Sequence, residues 1–242
     1  MLGPLLVFGQ SIRHALLGPW AVGFVAACCA WLAVGAQAQA GSGQWESAIQ
    51  AFEAVDRTNP PPSQACLFVG SSSIRLWKTL AEDFAGVKVI NRGFDGSQIE
   101  DVTSFADRMV MPYRPGLILL YGGDNDLAAG KTPDRVCADF RGFVEKVRAK
   151  LPDVPILFIS IKPSPARWSL VDKVRSANRL VEAYARRGRN LVYIDVFTPL
   201  VDADGQPRAD LFAEDKLHLN AKGYARWREI IKPHLPSHKT KE

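Results

Sequence analysis

Five short, largely apolar runs recur along this chain, and turn-forming residues bound each of them. A largely apolar run of this length predicts a strand that is covered on both faces, which is typical of parallel sheets. Parallel strands need long crossover connections, and these are normally helices. The five predicted strands are 65–69, 87–90, 117–121, 156–161 and 191–196.

Longer segments with helical periodicity separate the apolar runs, as repeated βα units require. In the segment 133–151, Phe140 and Val144 share one face with the other apolar side chains, and Thr132 before a proline predicts the helix start. The fold class predicted is α/β: a three-layer α/β/α sandwich around five parallel strands, in a single domain over 41–242. The other predicted helices are 44–54, 99–109, 170–187 and 221–231.

The first 40 residues have a different composition and predict an export signal. No charged residue occurs over 15–44, and Ala38-Gln39-Ala40 offers the small side chains that signal peptidase requires. We therefore predict a cleaved signal peptide over 1–40, and a mature protein that is periplasmic or secreted.

Two alternatives for this segment stay open. The apolar stretch 15–36, of about 22 residues, is long enough to remain as an inner-membrane anchor. Cys28 also lies in a lipoprotein-like cleavage box, although the apolar residues continue beyond it. Contact with a membrane is expected only if the N-terminal segment is retained.

Charge patterning argues against a nucleic-acid-binding protein. The formal net charge is +5 at pH 7, and the basic residues are spread through helical segments without a stripe of interleaved aromatic residues. The sequence carries no indication of the oligomeric state.

Cys66 and Cys137 are the cysteines that follow the N-terminal segment. In an exported chain they can form one disulfide or remain as two buried thiols, and the sequence alone favours neither. Their spacing suggests no metal site, and we expect neither a metal nor an organic cofactor.

Polar segments follow the predicted strands at the points where the strands end. In an open parallel sheet, ligands bind outside the carboxyl ends of the strands, so we expect these segments to meet on one rim. The segments are 70–75, 91–97, 122–126 and, after the fifth strand, 215–218.

His218 is the histidine best placed for chemistry on this rim. His14 lies in the apolar N-terminal segment, and His234 and His238 lie in the C-terminal tail. A serine hydroxyl becomes a strong nucleophile only when a base accepts its proton, and the base must itself be oriented. Asp215, three residues before His218, can orient such a base.

The four segments together resemble the sequence blocks of the GDSL/SGNH hydrolases, which are named for a Ser, a Gly, an Asn and a His. The resemblance spans about 65–224 and implies Ser72 as nucleophile, with His218 as base and Asp215 as its partner. It also implies an oxyanion hole formed by Ser72, Gly96 and Asn125, on a flavodoxin-like sheet. The blocks are 68–74, 91–97, 123–126 and 215–218.

This resemblance implies a serine esterase that forms an acyl-enzyme on Ser72 and hydrolyses small acyl esters. The expected partner is a small-molecule or glycan substrate such as an acetylated carbohydrate, an aryl ester or a lysophospholipid. An α/β-hydrolase is excluded, because its Gly-x-Ser-x-Gly elbow would need glycine where Ile74 stands.

Two departures from the family pattern motivate an alternative. Ser71 replaces the usual acid before the nucleophile, which removes a charge there, although a serine hydroxyl can still make a local turn hydrogen bond. Asp95 precedes Gly96, where an ionised acid would oppose an oxyanion unless it points away. The alternative is therefore a non-catalytic envelope- or carbohydrate-binding module on the same scaffold.

Arg75 and Trp168 are candidate substrate contacts. Arg75 follows the serine cluster, and Trp168 lies in a proline-rich loop after the fourth strand that we expect to overhang the rim. Trp77 and Trp227 are predicted to be core residues.

Overall fold

The computed structural model describes residues 43–236, together with Met1 and Gly3. It contains one sheet of five parallel strands in the order β2-β1-β3-β4-β5, which confirms the predicted sheet. The strands are β1 (Cys66–Gly70), β2 (Val89–Gly93), β3 (Leu117–Tyr121), β4 (Ile156–Ile159) and β5 (Leu191–Ile194).

Helices cover both faces of the sheet, as the three-layer prediction requires. Alternate strand residues contribute to two apolar clusters, so Leu67 and Val69 lie on one face and Phe68 lies on the other. The helices are α1 (Glu46–Thr58), α2 (Ser72–Arg75), α3 (Leu80–Asp83), α4 (Ile99–Ser104), α5 (Ala106–Met109), α6 (Asp124–Ala128), α7 (Pro133–Arg148), α8 (Val171–Ala185) and α9 (Ala221–Ile231).

The two apolar clusters divide the helices between the layers. Helices α1, α4, α5, α7 and α8 contribute to one cluster, whereas α2, α3 and α9 contribute to the other. Trp77 and Trp227 are buried in the second cluster, which confirms that both are core residues. The β1 strand is buried throughout and contributes side chains to both clusters.

The strand order reverses at β1. The chain passes from β1 to β2 on one side and then returns to place β3 on the other side of β1. Such a reversal opens a crevice at the carboxyl ends of the two central strands, where open α/β sheets bind ligands. The residues that follow β1 and β3 therefore flank this crevice.

One predicted helix differs in the structure. The segment 99–109 forms two short helices, α4 and α5, with Phe105 between them. The hydroxyls of Thr103 and Ser104 donate to the carbonyls of the residues four positions earlier, Ile99 and Glu100. Such hydroxyls compete for the helix's own acceptors and bend it, which accounts for the interruption.

The two cysteines are free, buried thiols on opposite sides of the sheet. Cys66 on β1 belongs to the cluster with α9, whereas Cys137 on α7 belongs to the other cluster. This arrangement decides the question that the sequence left open, because no disulfide can pass through the sheet.

The predictions for the N-terminal segment concern residues that the structure does not describe. The alternative anchor over 15–36 and the lipoprotein cysteine Cys28 lie outside the described residues, as does the proposed signal peptide apart from Met1 and Gly3. Within 43–236, no helix combines the length and the apolar character needed to cross a bilayer.

Candidate active site

The turn between β1 and α2 presents Ser72 at the rim of the sheet. Gly70 has φ +134°, and a Cβ at this position would lie 1.9 Å from the backbone oxygen of Tyr121. Only glycine therefore allows β1 to approach β3 so closely and then turn. The carbonyl of Ser71 accepts from the N–H groups of Ile74 and Arg75, which starts α2 at Ser72.

Ser72, His218 and Asp215 form a continuous chain of hydrogen bonds. Ser72 Oγ lies 2.9 Å from His218 Nε2, across 146 residues of sequence. His218 Nδ1 lies 2.6 Å from Asp215 Oδ2. Because a carboxylate only accepts hydrogen bonds, Nδ1 carries the proton and Nε2 is left to accept one from the serine. The roles of the three residues in catalysis stay predictions.

The carboxylate of Asp215 also organises its own loop. Its Oδ1 accepts from the backbone N–H groups of Leu217 and His218, each at 2.9 Å. Burial opposes ionisation, but the hydrogen bonds from His218 and Leu217 outweigh it and lower the pKa of Asp215 to about 2. The residue is therefore a carboxylate over the whole range in which esterases work.

Gly96 lies in a turn that is contacted by Trp45, the residue directly before α1. Its φ is +68°, a backbone conformation that favours glycine. A Cβ at this position would meet no atom within 4 Å, so a lack of space is not the reason for the glycine. Trp45 Nε1 donates to the carbonyl oxygen of Asp95 at 2.6 Å, and its ring packs edge-on against Phe94. No backbone carbonyl of the described residues accepts from the N–H of Gly96 or Ser72.

Asn125 occupies the first turn of α6, directly beyond β3. Its Nδ2 donates to the carbonyl oxygen of Ser97 at 3.0 Å, which joins it to the turn that contains Gly96. The turn before it depends on Gly123, whose φ is +106° and whose Cβ would lie 2.6 Å from Ile161 Cδ1. The structure therefore brings the second and third predicted segments together beside the first.

The departure at Asp95 has a structural counterpart in Arg75. Arg75 Nε donates to Asp95 Oδ1 at 2.5 Å, and both side chains are solvent-exposed. The acidic charge beside Gly96 is thus paired with a cation, and Arg75, a candidate substrate contact, already has an acidic partner.

The side chain of Ser71 does not stabilise the turn with a hydrogen bond. Its hydroxyl is buried and has no hydrogen-bond partner among the described residues, so it does not make the local turn hydrogen bond that a serine can make here. The side chain does not cap α2 either.

The loop after β4 contacts the histidine loop. It contains a short 3₁₀ helix, Pro165–Leu170, and the N–H of Ala166 donates to the carbonyl of Lys216 at 3.0 Å. Trp168 is partly buried, and the guanidinium of Arg175 stacks 5.6 Å from the centre of its ring. The expected proximity of this loop to the rim is therefore present, and contact of Trp168 with a substrate stays a prediction.

A buried ionic cluster lies next to Asn125, and it was not among the predictions made from the sequence. Lys162, whose side chain is fully buried, donates to Asp124 Oδ2 at 2.9 Å and to the hydroxyl of Tyr121 at 3.0 Å. Although burial opposes it, the charges of Lys162 and Arg167 keep the pKa of Asp124 below its ordinary value. Lysine in the apolar context of β4 was the available signal, since a buried lysine needs an acidic partner.

Solved structures of low sequence identity share this fold. A candidate platelet activating factor of Streptococcus pneumoniae superposes with a TM-score of 0.71 at 21% identity, covering 84% of this chain and 99% of that one. A GDSL-like lipase of Bacteroides thetaiotaomicron gives a TM-score of 0.67 at 20% identity, covering 77% and 96%.

A third similar structure is a variant of an acetyl-xylooligosaccharide esterase from Geobacillus. Its TM-score is 0.62 at 14% identity, with 75% of this chain and 98% of that chain covered. No protein among the curated sequences matches this chain significantly.

The family assignment comes from the sequence profile that matches most of the chain. The profile of the GDSL-like Lipase/Acylhydrolase family matches residues 67–226, a range that runs from within β1 through the rim segments to the first half of α9. With the fold and this match, the chain belongs to the GDSL-like lipase/acylhydrolase family of ester hydrolases.

Proposed function

We propose that this protein is an exported serine esterase that hydrolyses small acyl esters through an acyl-enzyme on Ser72. The observation that carries the proposal is the continuous hydrogen-bonded chain from Ser72 Oγ to His218 Nε2, at 2.9 Å, and from His218 Nδ1 to Asp215 Oδ2, at 2.6 Å. This is the arrangement that a serine needs to become a nucleophile.

In the first half of the proposed reaction, Ser72 Oγ attacks the ester carbonyl carbon while its proton passes to His218 Nε2. The tetrahedral intermediate then breaks the bond to the alcohol oxygen, and His218 returns the proton to that oxygen. The alcohol leaves, and the acyl group stays on Ser72. Asp215 holds the imidazole in the required tautomer and stabilises the transient imidazolium.

In the second half, a water molecule replaces the alcohol. His218 takes a proton from the water, whose oxygen attacks the acyl carbon. Collapse of the second intermediate breaks the bond to Ser72 Oγ, which regains its proton from His218. The products are a carboxylic acid and the free enzyme.

The negative oxygen of each intermediate needs donors that are already in place. We assign this role to the N–H groups of Ser72 and Gly96 and to the side-chain amide of Asn125. The geometry supports the assignment, since neither backbone N–H is taken by a backbone carbonyl of the described residues and Asn125 is fixed to the Gly96 turn through Ser97.

An acetylated carbohydrate is the substrate class that we favour. The argument is similarity to the acetyl-xylooligosaccharide esterase, together with a rim that is open at Gly96, where no atom lies within 4 Å of a Cβ position. An open rim accommodates a bulky alcohol portion while the acyl group faces Ser72.

Ser72→Ala tests the mechanism against the neighbouring serines. We expect it to abolish hydrolysis of p-nitrophenyl acetate and of acetylated xylo-oligosaccharides, and to abolish labelling by a fluorophosphonate probe, with an unchanged melting temperature. Ser71→Ala and Ser73→Ala are matched controls that should keep labelling. Labelling that persists in Ser72→Ala would refute the assignment, and a wild type that never labels would favour the non-catalytic binding module.

Export is tested separately from chemistry. We expect the protein in the periplasm or medium, with a mature N-terminus after Ala40 in mass spectrometry. An intact Met1 would favour the retained anchor over 15–36, and a lipidated Cys28 would favour the lipoprotein.

A further inference from the structure

The amide of Asn125 is held from two sides by partners of opposite character. Arg167 Nη2 donates to Asn125 Oδ1 at 3.0 Å, and Asn125 Nδ2 donates to the carbonyl oxygen of Ser97 at 3.0 Å. Arginine can only donate hydrogen bonds, and a carbonyl oxygen can only accept them. The amide therefore has one permitted orientation, with its oxygen toward Arg167.

This orientation leaves one N–H of Asn125 without a described partner. The Nδ2 amino group carries two hydrogens, and Ser97 accepts only one of them. A cation on Oδ1 polarises the amide and strengthens its remaining N–H as a donor, because hydrogen bonds in a chain reinforce one another in a low-dielectric surrounding.

Arg167 is itself held in place by the buried cluster below. Its Nη1 lies 3.6 Å from Asp124 Oδ2, and the same carboxylate oxygen accepts from Lys162 at 2.9 Å. The side chains of Asp124 and Lys162 are 7% and 0% exposed, whereas that of Arg167 is 23% exposed. Rigid, buried partners fix the guanidinium more firmly than surface partners would.

The charges of this cluster do not cancel. Among the described residues its ion pairs join two cations, Lys162 and Arg167, to one anion, Asp124. An excess of positive charge therefore lies on the Oδ1 side of the Asn125 amide. Such a fixed charge stabilises negative charge that develops in front of the amide, without reorganisation during the reaction.

We propose that Arg167 is a positioning residue of the oxyanion hole, which orients and polarises the Asn125 amide and is anchored by Asp124, whose carboxylate is held by Lys162. The proposal rests on the proposed esterase function, in which Asn125 donates to the oxyanion. It assigns to the loop after β4 a part in transition-state stabilisation that no sequence block suggested.

Steady-state kinetics of four proteins test the proposal: wild type, Arg167→Met, Asn125→Ala and the double variant. For p-nitrophenyl acetate we expect Asn125→Ala to lower kcat about 100-fold, as loss of one oxyanion donor does in other hydrolases. Arg167→Met should lower kcat roughly 10-fold with little change in KM, because it weakens a donor without removing it. The double variant should match Asn125→Ala within about twofold, since Arg167 acts through Asn125.

Arg141→Met is the matched control, because Arg141 is an exposed arginine on α7 whose charge stacks on Tyr184, away from the rim. It should leave kcat unchanged. Free guanidinium at sub-denaturing concentration should restore part of the activity of Arg167→Ala, whose short side chain leaves room for the cation, and none of that of Asn125→Ala. A merely structural role of Arg167 would give no such rescue.

The outcomes separate the two proposals. If the losses of Arg167→Met and Asn125→Ala multiply in the double variant, Arg167 acts elsewhere and this inference is wrong. If Asn125→Ala keeps full kcat, the oxyanion hole of the proposed function is wrong. Should Arg167→Met melt well below the wild type, Arg167→Gln replaces it in the same cycle, because glutamine removes the charge while retaining a polar side chain at this position.

Discussion

At the scale of single residues, Asp215 does more than face the histidine. Its two oxygens accept from the His218 ring and from two backbone N–H groups of the same loop, so one carboxylate sets both the loop conformation and the ring orientation. The short spacing between Asp215 and His218 makes this possible. A partner from a distant segment could hold the ring but not the loop.

Asp215→Asn should separate these two contributions. An amide oxygen still accepts from the loop N–H groups, but it no longer stabilises an imidazolium, so we expect kcat to fall by at least about 10-fold. Asp215→Ala is the comparison variant, which should also lower the melting temperature. A kcat for Asp215→Asn equal to that of the wild type would exclude the charge from the mechanism.

The same residue predicts a pH dependence of stability. Because the pKa of Asp215 is lowered to about 2 in the folded protein, from an ordinary 3.8, its ionised form favours folding. That contribution is complete above about pH 4 and disappears as the pH falls toward 2. The melting-temperature difference between wild type and Asp215→Asn should therefore shrink across this acidic window, and a constant difference would contradict it.

At the scale of secondary-structure elements, short sequence patterns predicted a helix boundary correctly where the interaction that sets the boundary is between neighbouring residues. Thr132 caps α7 by accepting from the N–H of Arg135 at 3.2 Å, as a threonine before a proline predicts. The break at Phe105 was missed, although the hydroxyls of Thr103 and Ser104 that cause it are visible in the sequence. The helix over 99–109 was predicted from the spacing of its apolar residues, which takes no account of hydrogen bonds made by side-chain hydroxyls.

Thr132→Ala should cost about 1 kcal/mol in the free energy of unfolding, the usual value for a lost helix cap. Thr132→Ser keeps the accepting oxygen and serves as the control. Urea denaturation of both variants measures the difference. Equal losses in both variants would show that the hydroxyl oxygen is not the stabilising group.

At the scale of the whole molecule, the sheet and the order of the rim segments could be predicted because both follow from short-range pattern. Five apolar runs specify five strands, of which β1, β3 and β4 are buried throughout, and the carboxyl ends of parallel strands lie at one edge of the sheet. The contact of Arg167 with Asn125 and that of Trp45 with Asp95 were not predicted. These two contacts join residues 42 and 50 positions apart in sequence, respectively, and they depend on how the segments pack in the folded protein.

The opposite placement of the two cysteines gives a prediction for the complete protein. Burial raises the pKa of Cys66 to about 11 and raises that of Cys137, so neither thiol is ionised at neutral pH. We expect peptide mapping after iodoacetamide treatment to find both unmodified in the native protein and both modified in urea. Reducing agent should leave the melting temperature unchanged, and a fall would indicate a disulfide.

The hydroxyl of Tyr224 on α9 donates to the carbonyl of Ser73 at 3.0 Å, a bond across 151 residues of chain. His218, the base of the proposed mechanism, also lies just before α9, so a chain that has been synthesised only as far as α8 holds Ser72, Gly96 and Asn125 but lacks this proton acceptor. We therefore expect ester hydrolysis to begin only when the last helix docks. During refolding, the recovery of activity should therefore report the packing of α9 against the segment that follows β1.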